Sequence, residues 1–205
     1  MHVKDATITE VSELVTRAKK GDRDAFDVLV ERYTPFVFNL TLRITGSREE
    51  AEDCVQEAFV RTFSSLRKFR EEAAFSTWLY RVAVNVANDA ARRLKGRPMR
   101  ASELANPEDD AGADLEQLAG RGEQTDAGPE ASAIAHERQR VVVQAVRRLP
   151  EHHRTVIVLY DLQGLSYDDI ARVLGVRVGT VKSRLNRARL ALKELLLPHL
   201  ELLRD

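Results

Sequence analysis

At 205 residues, with 32 Lys+Arg against 32 Asp+Glu, the chain has a formal net charge of +0, so any face for a polyanion must come from segregation of charge along the sequence. No apolar run approaches the roughly 20 residues of a membrane span, and Met1-His2-Val3-Lys4-Asp5-Ala6-Thr7 holds no apolar signal core, which argues against membrane insertion and for the cytoplasm. The single cysteine, Cys54, excludes an internal disulfide, and the adjacent His152 and His153 point to different helix faces with no ligand pattern beside them, so neither metal nor cofactor is expected.

The pattern Val11, Leu14, Val15, Ala18 predicts a short amphipathic helix from about Ile8 to Lys20, closed by Gly21, with Asp22 capping the next helix. That helix carries Ala25, Phe26, Leu29, Val30 and Tyr33, then Phe36, Val37, Leu40, Leu42 and Ile44. Pro35 lies inside the pattern, which predicts a kink rather than a stop, with Gly46 as the end. Ser47 followed by Glu50 is a capping-box signature for a helix from Arg48 to about Leu66. Its apolar positions are Ala51, Val55, Ala58, Phe59, Thr62 and Phe63, with Cys54 as a small core residue, and its outer face is acidic: Glu49, Glu50, Glu52, Asp53 and Glu57. On its own such a face is equally well a solvated surface.

A polar loop, Arg67 to Ala74, leads to a long helix beginning near Trp78. Leu79, Val82, Ala83, Val86 and Ala90 form its core stripe, while Arg81, Asn85, Asn88, Asp89, Arg92, Arg93 and Lys95 decorate the other side. Cations interleaved with aromatics suit single-stranded nucleic acid, because bases stack on rings while phosphates follow the charges. Phe75 and Trp78 read equally as core residues. Residues 101–130 then hold nine acids against the single Arg121, with Pro107, Pro129 and four glycines, the composition of a flexible acidic linker.

Residues 166–190 read as helix, turn, helix. Ser166 is the natural N-cap, Asp168 and Asp169 complement the macrodipole of the first turn, and Ile170, Ala171 and Leu174 share one face. Gly175 ends the first helix, Val176 and Val178 plug the angle, and Gly179 or Thr180 starts the second. There Val181, Leu185, Ala188 and Leu192 make the buried stripe, and every charged residue from Arg177 to Lys193 is basic. A helix of that polarity suits a major groove, where long cations anchor phosphates and Ser, Asn or Arg reach base edges. A solvated amphipathic hairpin is the plainer alternative. Lys182-Ser183 mimics the end of a phosphate-binding loop, but Val181 stands where that loop needs glycine. No dinucleotide turn, nucleophile elbow or supported carboxylate pair occurs, so the chain is not read as an enzyme.

Together these segments resemble the extracytoplasmic-function group of bacterial sigma-70 family sigma factors, which retain only sigma regions two and four. The likeness rests on Gly21-Asp22-Arg23-Asp24-Ala25-Phe26 with Leu29, on Ala51 to Phe59, on Phe75 to Asn85, and on Leu149-Pro150 through Arg189. It implies an all-α fold of two small domains: a region 2 helical bundle over 8–96 and a region 4 helix-turn-helix unit over 132–205, joined by the flexible acidic linker over 97–131. Ala133 to Leu149 is then the first helix of the second domain, with Ile134, Val141, Val142, Ala145 and Val146 inward, and Pro150 starts the next, to about Leu162.

The resemblance also implies roles. Glu52, Asp53, Gln56, Glu57 and Phe59 look like the surface that docks on the beta-prime clamp helices of core RNA polymerase, the beta flap being the partner of the second domain. Lys68, Phe69, Phe75, Ser76, Trp78, Arg81, Asn85, Asn88, Arg92 and Arg93 look like the minus-ten set: the loop and the helix from Trp78 onward capture a flipped base and hold the melted strand, and Asn85, Asn88, Arg92 and Arg93 are candidates for upstream minus-ten DNA. Arg177, Thr180, Lys182, Ser183, Arg184 and Arg187 look like the minus-35 reader. Within it Lys182, Ser183 and Arg187 occupy base-reading positions, and Arg184 grips phosphate. An anti-sigma factor is the further partner implied. The linker would thread toward the polymerase active centre, its acids either mimicking RNA or solvating a tether. The apolar run Leu195 to Leu203 is read as packing on the second domain or on a partner. An operator-binding helix-turn-helix regulator is the alternative for the whole chain, and a non-DNA helical adaptor the third.

Overall fold

The computed structural model describes residues 8–96 and 129–203, and every regular element among them is helical. The first unit is formed by α1 (Ile8–Lys19), α2 (Arg23–Thr45), α3 (Arg48–Ser65) and α4 (Phe75–Gly96). The second comprises α5 (Pro129–Arg148), α6 (Glu151–Ile157), a π-helical turn (Val158–Leu162), α7 (Tyr167–Leu174), α8 (Val178–Leu196), a 3-10 turn (Leu197–His199) and α9 (Leu200–Leu203). The expected linker lies outside the described residues from 97 to 128, and residues 129–131, counted to it from composition, already belong to α5.

Local chemistry sets the helix ends. Asp22 accepts from the Ala25 amide at 3.1 Å to open α2, and Ser47 accepts from the Glu50 amide at 3.4 Å to open α3. α2 runs on through Pro35 and ends at Gly46, whose φ of 76° is left-handed. A Cβ at Gly46 would also meet the Arg147 Nε at 2.5 Å, the far end of a flexible side chain that can shift, so it is the left-handed φ that calls for glycine. α4 starts at Phe75, three residues before the expected Trp78, because the Trp78 amide already bonds the Ala74 carbonyl at 3.2 Å. In the second unit Ser166 accepts from the Asp169 amide at 3.1 Å, and Gly175, φ 64°, closes α7. α8 begins at Val178 rather than at Gly179 or Thr180, since the Thr180 and Val181 amides both reach back to the Arg177 carbonyl.

The first unit packs α1 to α4 around Val15, Leu29, Tyr33, Val37, Leu40, Ala58, Leu79, Ala83 and Val86. Cys54 is buried among them, as expected, and burial pushes its thiol up to about 11. The second unit closes α6, α7 and α8 around Val156, Ile157, Leu159, Ile170, Val181, Leu185 and Ala188. These cores are continuous. α4 is buried along a second stripe, Tyr80, Val84, Ala87 and Ala91, beyond the one read from the sequence, and α7 packs against α4. At the other end of the interface α5 and α6 meet α2, with Val143 packed beside Leu42, Ala51 and Phe38.

One buried cation ties that junction. Arg154, 5% exposed, donates to the carbonyls of Ile44 at 2.6 Å, Arg147 at 2.8 Å and Leu149 at 3.1 Å. All three lie at or just beyond helix C-termini, where carbonyls lack intrahelical donors and the macrodipole is negative. The C-terminal run folds back on α5, where Arg138 Nε donates to the Leu202 carbonyl at 2.7 Å, although Leu197 and Leu200 remain exposed.

Candidate polymerase and promoter surfaces

The outer face of α3 presents Glu52, Asp53, Gln56 and Glu57 to solvent. Arg48 pairs with Glu52 at 2.9 Å and Arg61 with Glu57 at 2.5 Å, both one helical turn apart. Such exposed pairs contribute little to stability, so the carboxylates remain available to a docking partner. Phe59 departs from expectation: it is buried, 7% exposed, and belongs to the bundle core rather than to the docking face. Val60 and Phe63 take its place, 61% and 47% exposed, one and two turns beyond Gln56. The sequence reading put Phe63 inside, yet it touches the core only edge-on, at 4.9 Å from Phe26. Spacing alone held the missed signal, since Asp53, Gln56, Val60 and Phe63 fall at i, i+3, i+7 and i+10.

The aromatics expected at the minus-ten surface form a nest beneath the α3–α4 loop. Phe69 and Phe75 are buried, at 7% and 5% exposure, while Trp78 is half-buried and stacks on Phe69 at 4.9 Å. Phe75 also meets Tyr33 edge-on at 5.5 Å. Phe69 and Phe75 are thus the floor of the loop in this conformation, leaving Trp78 and the exposed Lys68 as the accessible partners for a base. Ser76 is half-buried in the first turn of α4.

Further along α4, Arg81, Asn85, Arg92 and Arg93 are exposed and Asn88 is half-buried, and Arg81, Asn88 and Arg92 border the second unit. Thr77 donates to Asp169 at 3.4 Å, and Arg81 comes within 4.0 Å of where a Cβ on Gly175 would stand. Asn88 accepts from Thr155 at 3.3 Å, and Arg92 pairs with Glu151 at 3.2 Å. Three expected DNA contacts, Arg81, Asn88 and Arg92, therefore lie along the seam where α6 and α7 cover α4.

On α8 the predicted stripe is buried at Val181, Leu185 and Ala188 and half-buried at Leu192, and Arg177, Lys182, Ser183 and Arg187 project outward, with Thr180 and Arg184 half-buried. A stack of rings supports this helix. Tyr160 and Tyr167 lie parallel at 4.8 Å, Lys182 Nζ sits 5.7 Å from the centre of the Tyr167 ring, and the Arg189 guanidinium sits 5.2 Å from that of Tyr160. Arg189 also pairs with Asp161. Tyr160 and Asp161 belong to the π-helical turn, whose wider winding aims both at α8. On the opposite side His153 is held below its ordinary value, first by burial, then by His152, Arg187 and Arg184. Among the described residues no group of three or more His, Cys, Asp or Glu can hold a metal ion, and no helix is long and apolar enough to cross a membrane.

A helical bundle with an acidic helix face and an aromatic-floored loop, joined on one chain to a cationic helix-turn-helix, defines a two-part, DNA-binding transcription protein. Residues 29–97 match Sigma-70 region 2 and residues 139–192 match Sigma-70 region 4. Similar proteins include the RNA polymerase sigma-H factor of Pseudomonas aeruginosa, 39% identical over 91% of this chain and 93% of its own. The ECF RNA polymerase sigma-E factor of Haemophilus influenzae is 40% identical over 86% of this chain and 89% of its own. CnrH, solved in complex with the cytosolic domain of CnrY, superposes with a TM-score of 0.62 at 26% identity, over 91% of this chain and 97% of its own. RpoE from Bartonella quintana shares the fold, with a TM-score of 0.53 at 21% identity over 82% of this chain and 92% of its own. The chain belongs to the extracytoplasmic-function (ECF) group of sigma-70 family RNA polymerase sigma factors.

Proposed function

We propose that this sigma factor docks on the beta-prime clamp helices of core RNA polymerase through Glu52, Asp53, Gln56 and Glu57, with Val60 and Phe63 extending that face. The second unit engages the beta flap. Lys68, Ser76 and Trp78 meet the melted minus-ten strand over the Phe69–Phe75 floor, and Arg81, Asn85, Asn88, Arg92 and Arg93 follow the upstream minus-ten DNA. Arg177, Thr180, Lys182, Ser183, Arg184 and Arg187 read the minus-35 element. The protein has no chemistry of its own; it selects promoters in the cytoplasm and assists opening of the duplex. The units are assigned as 8–96 and, moved out to the start of α5, 129–205, with the segment between them as tether.

The observation that carries this reading furthest is that α4's candidate nucleic-acid face borders the second unit. Arg81 and Arg92 stay exposed and Asn88 is half-buried, yet Asn88 bonds Thr155 and Arg92 pairs with Glu151, so α6 stands beside the path that duplex DNA would follow along α4. Separation of the units clears that path, and docking on core polymerase would supply it by holding them apart. An anti-sigma factor is the natural antagonist of that step, and CnrH, solved with the cytosolic domain of CnrY, offers a precedent for a protein partner. Run-off transcription by bacterial core polymerase on a genomic fragment library, with starts mapped, tests the assignment. Discrete new starts with two shared, spaced upstream elements are expected. Duplex binding without polymerase, at a palindromic site, would instead mark an operator-binding regulator.

A further inference from the structure

The loop between α3 and α4 contains one residue in a backbone conformation that L-residues avoid: Glu71, with φ 60°. A non-glycine residue stays in that region only where its surroundings hold it. The holder is Lys19, the last residue of α1. Its Nζ donates to the Phe69 carbonyl at 2.9 Å and to Glu71 Oε1 at 2.8 Å, and lies 6.0 Å from the centre of the Phe69 ring. One ammonium thus grips the loop on both sides of Arg70. The Lys19 side chain is only 26% exposed, so the bond to the carbonyl is directional and partly shielded from water. Phe69 in turn stacks on Trp78 and meets Phe75 edge-on at 6.1 Å. The shape of the loop is consequently set from α1, a helix that contributes nothing to the candidate DNA surface.

We propose that Lys19 is a positioning residue for capture of an unstacked base of the melted minus-ten strand, holding Phe69 and Glu71 so that the loop keeps the shape that accepts the base. The inference rests on the base-capture role assigned above to this loop. Lys19 itself touches no DNA; it acts through the Phe69 carbonyl and the Glu71 carboxylate. Without it Glu71 relaxes toward negative φ, the segment above Phe69 and Trp78 loses its fixed outline, and selection among bases falls. Recognition of the minus-35 duplex by α8 is untouched.

The test uses the full chain bound to core polymerase and single-stranded minus-ten oligonucleotides carrying each of the four bases at every position. Lys19→Met is expected to lower the ratio of affinities for preferred and non-preferred bases about tenfold, the scale of one lost charge-assisted hydrogen bond. Glu71→Ala is expected to lower it less, because the bond to Phe69 remains. Lys19→Arg, whose fork can reach both acceptors, is expected to restore most of the ratio. Binding to a minus-35 duplex and protection of Cys54 from thiol reagents should not change. An unaltered ratio in Lys19→Met, or a uniform fall in affinity for all four bases, overturns the proposal. If Lys19→Met exposes Cys54, Glu71→Ala decides in its place: a reduced ratio supports the clamp and an unaltered one overturns it. Lys68→Ala combined with Ser76→Ala separates the two levels: if that variant also leaves the ratio unchanged, base capture by this loop has failed. If it lowers the ratio while Lys19→Met does not, only the role of Lys19 falls.

Discussion

Arg154 donates from one guanidinium nitrogen to the carbonyl of Ile44 at 2.6 Å, joining the second unit to the C-terminal turn of α2 across 110 positions of chain. Among the described residues the cation makes no ion pair; its partners are carbonyls, and burial holds its ionisation below the ordinary arginine value. Removing it takes away the donor that these three carbonyls share. Arg154→Met keeps most of the volume and is expected to cost about 2–4 kcal/mol in urea unfolding. A loss below about 1 kcal/mol would show that water reaches those carbonyls and that the junction is looser than its geometry.

The seam along α4 provides a direct test of closure. Arg92 and Glu151 are paired at 3.2 Å with side chains 61% and 34% exposed, so both positions accept a label. Arg92→Cys combined with Glu151→Cys, joined by a short bis-maleimide, is expected to abolish run-off transcription relative to the same double variant left unlinked, whose own activity already carries the loss of the Arg92 contact. The pair itself is a weak surface contact. Any effect of the crosslink therefore reports the trapped arrangement. Full transcription by the crosslinked protein would mean that the two units need not part.

How much of this was legible beforehand differs from helix to helix. The stripe Val181, Leu185, Ala188 on α8 followed from 3.6-residue spacing because that helix packs on one side only. α4 buries two stripes, and the second, Tyr80, Val84, Ala87 and Ala91, was invisible because α4 packs on helices to either side of it, including α7, which lies some eighty residues further along the chain. Phe59 and Phe63 are both large and apolar, and the spacing of Phe63 with Asp53, Gln56 and Val60 is what sets it on the outer face, half out, while Phe59 is buried. Arg154 reads as a solvent-facing cation by type. Nothing local reveals that the end of α2 arrives there.

The minus-35 reader offers a graded prediction. Lys182 stands over the Tyr167 ring, and Tyr167 is stacked on Tyr160, so the cation proposed to read a base is held by rings. Tyr167→Leu is expected to reduce base discrimination at the minus-35 position read by Lys182 by about 2- to 5-fold, the range of an exposed cation–π contact. Tyr167→Phe should retain it. Lys182→Glu with Arg187→Glu should abolish minus-35 recognition and leave core polymerase binding intact, measured by co-elution. Loss of polymerase binding in that variant would count against the placement of the reader on α8.

His153 gives the chain a pH dependence with a definite sign. It is packed against α8, where burial, His152, Arg187 and Arg184 all favour the neutral ring, and Nδ1 is buried without a hydrogen-bond partner. Its folded value therefore lies below the unfolded reference of 6.5. Between the two values the unfolded chain binds more protons than the folded one, so stability rises with pH across that window. The contribution is complete above about 6.5 and is lost as pH falls through the folded value. His153→Gln removes the titration while keeping a polar side chain of similar reach. Thermal midpoints measured from about pH 7.5 down to about pH 5 should fall more steeply for the wild type than for His153→Gln. Parallel curves would show that protonation of His153 is absorbed by movement of Arg184 and Arg187 away from the ring.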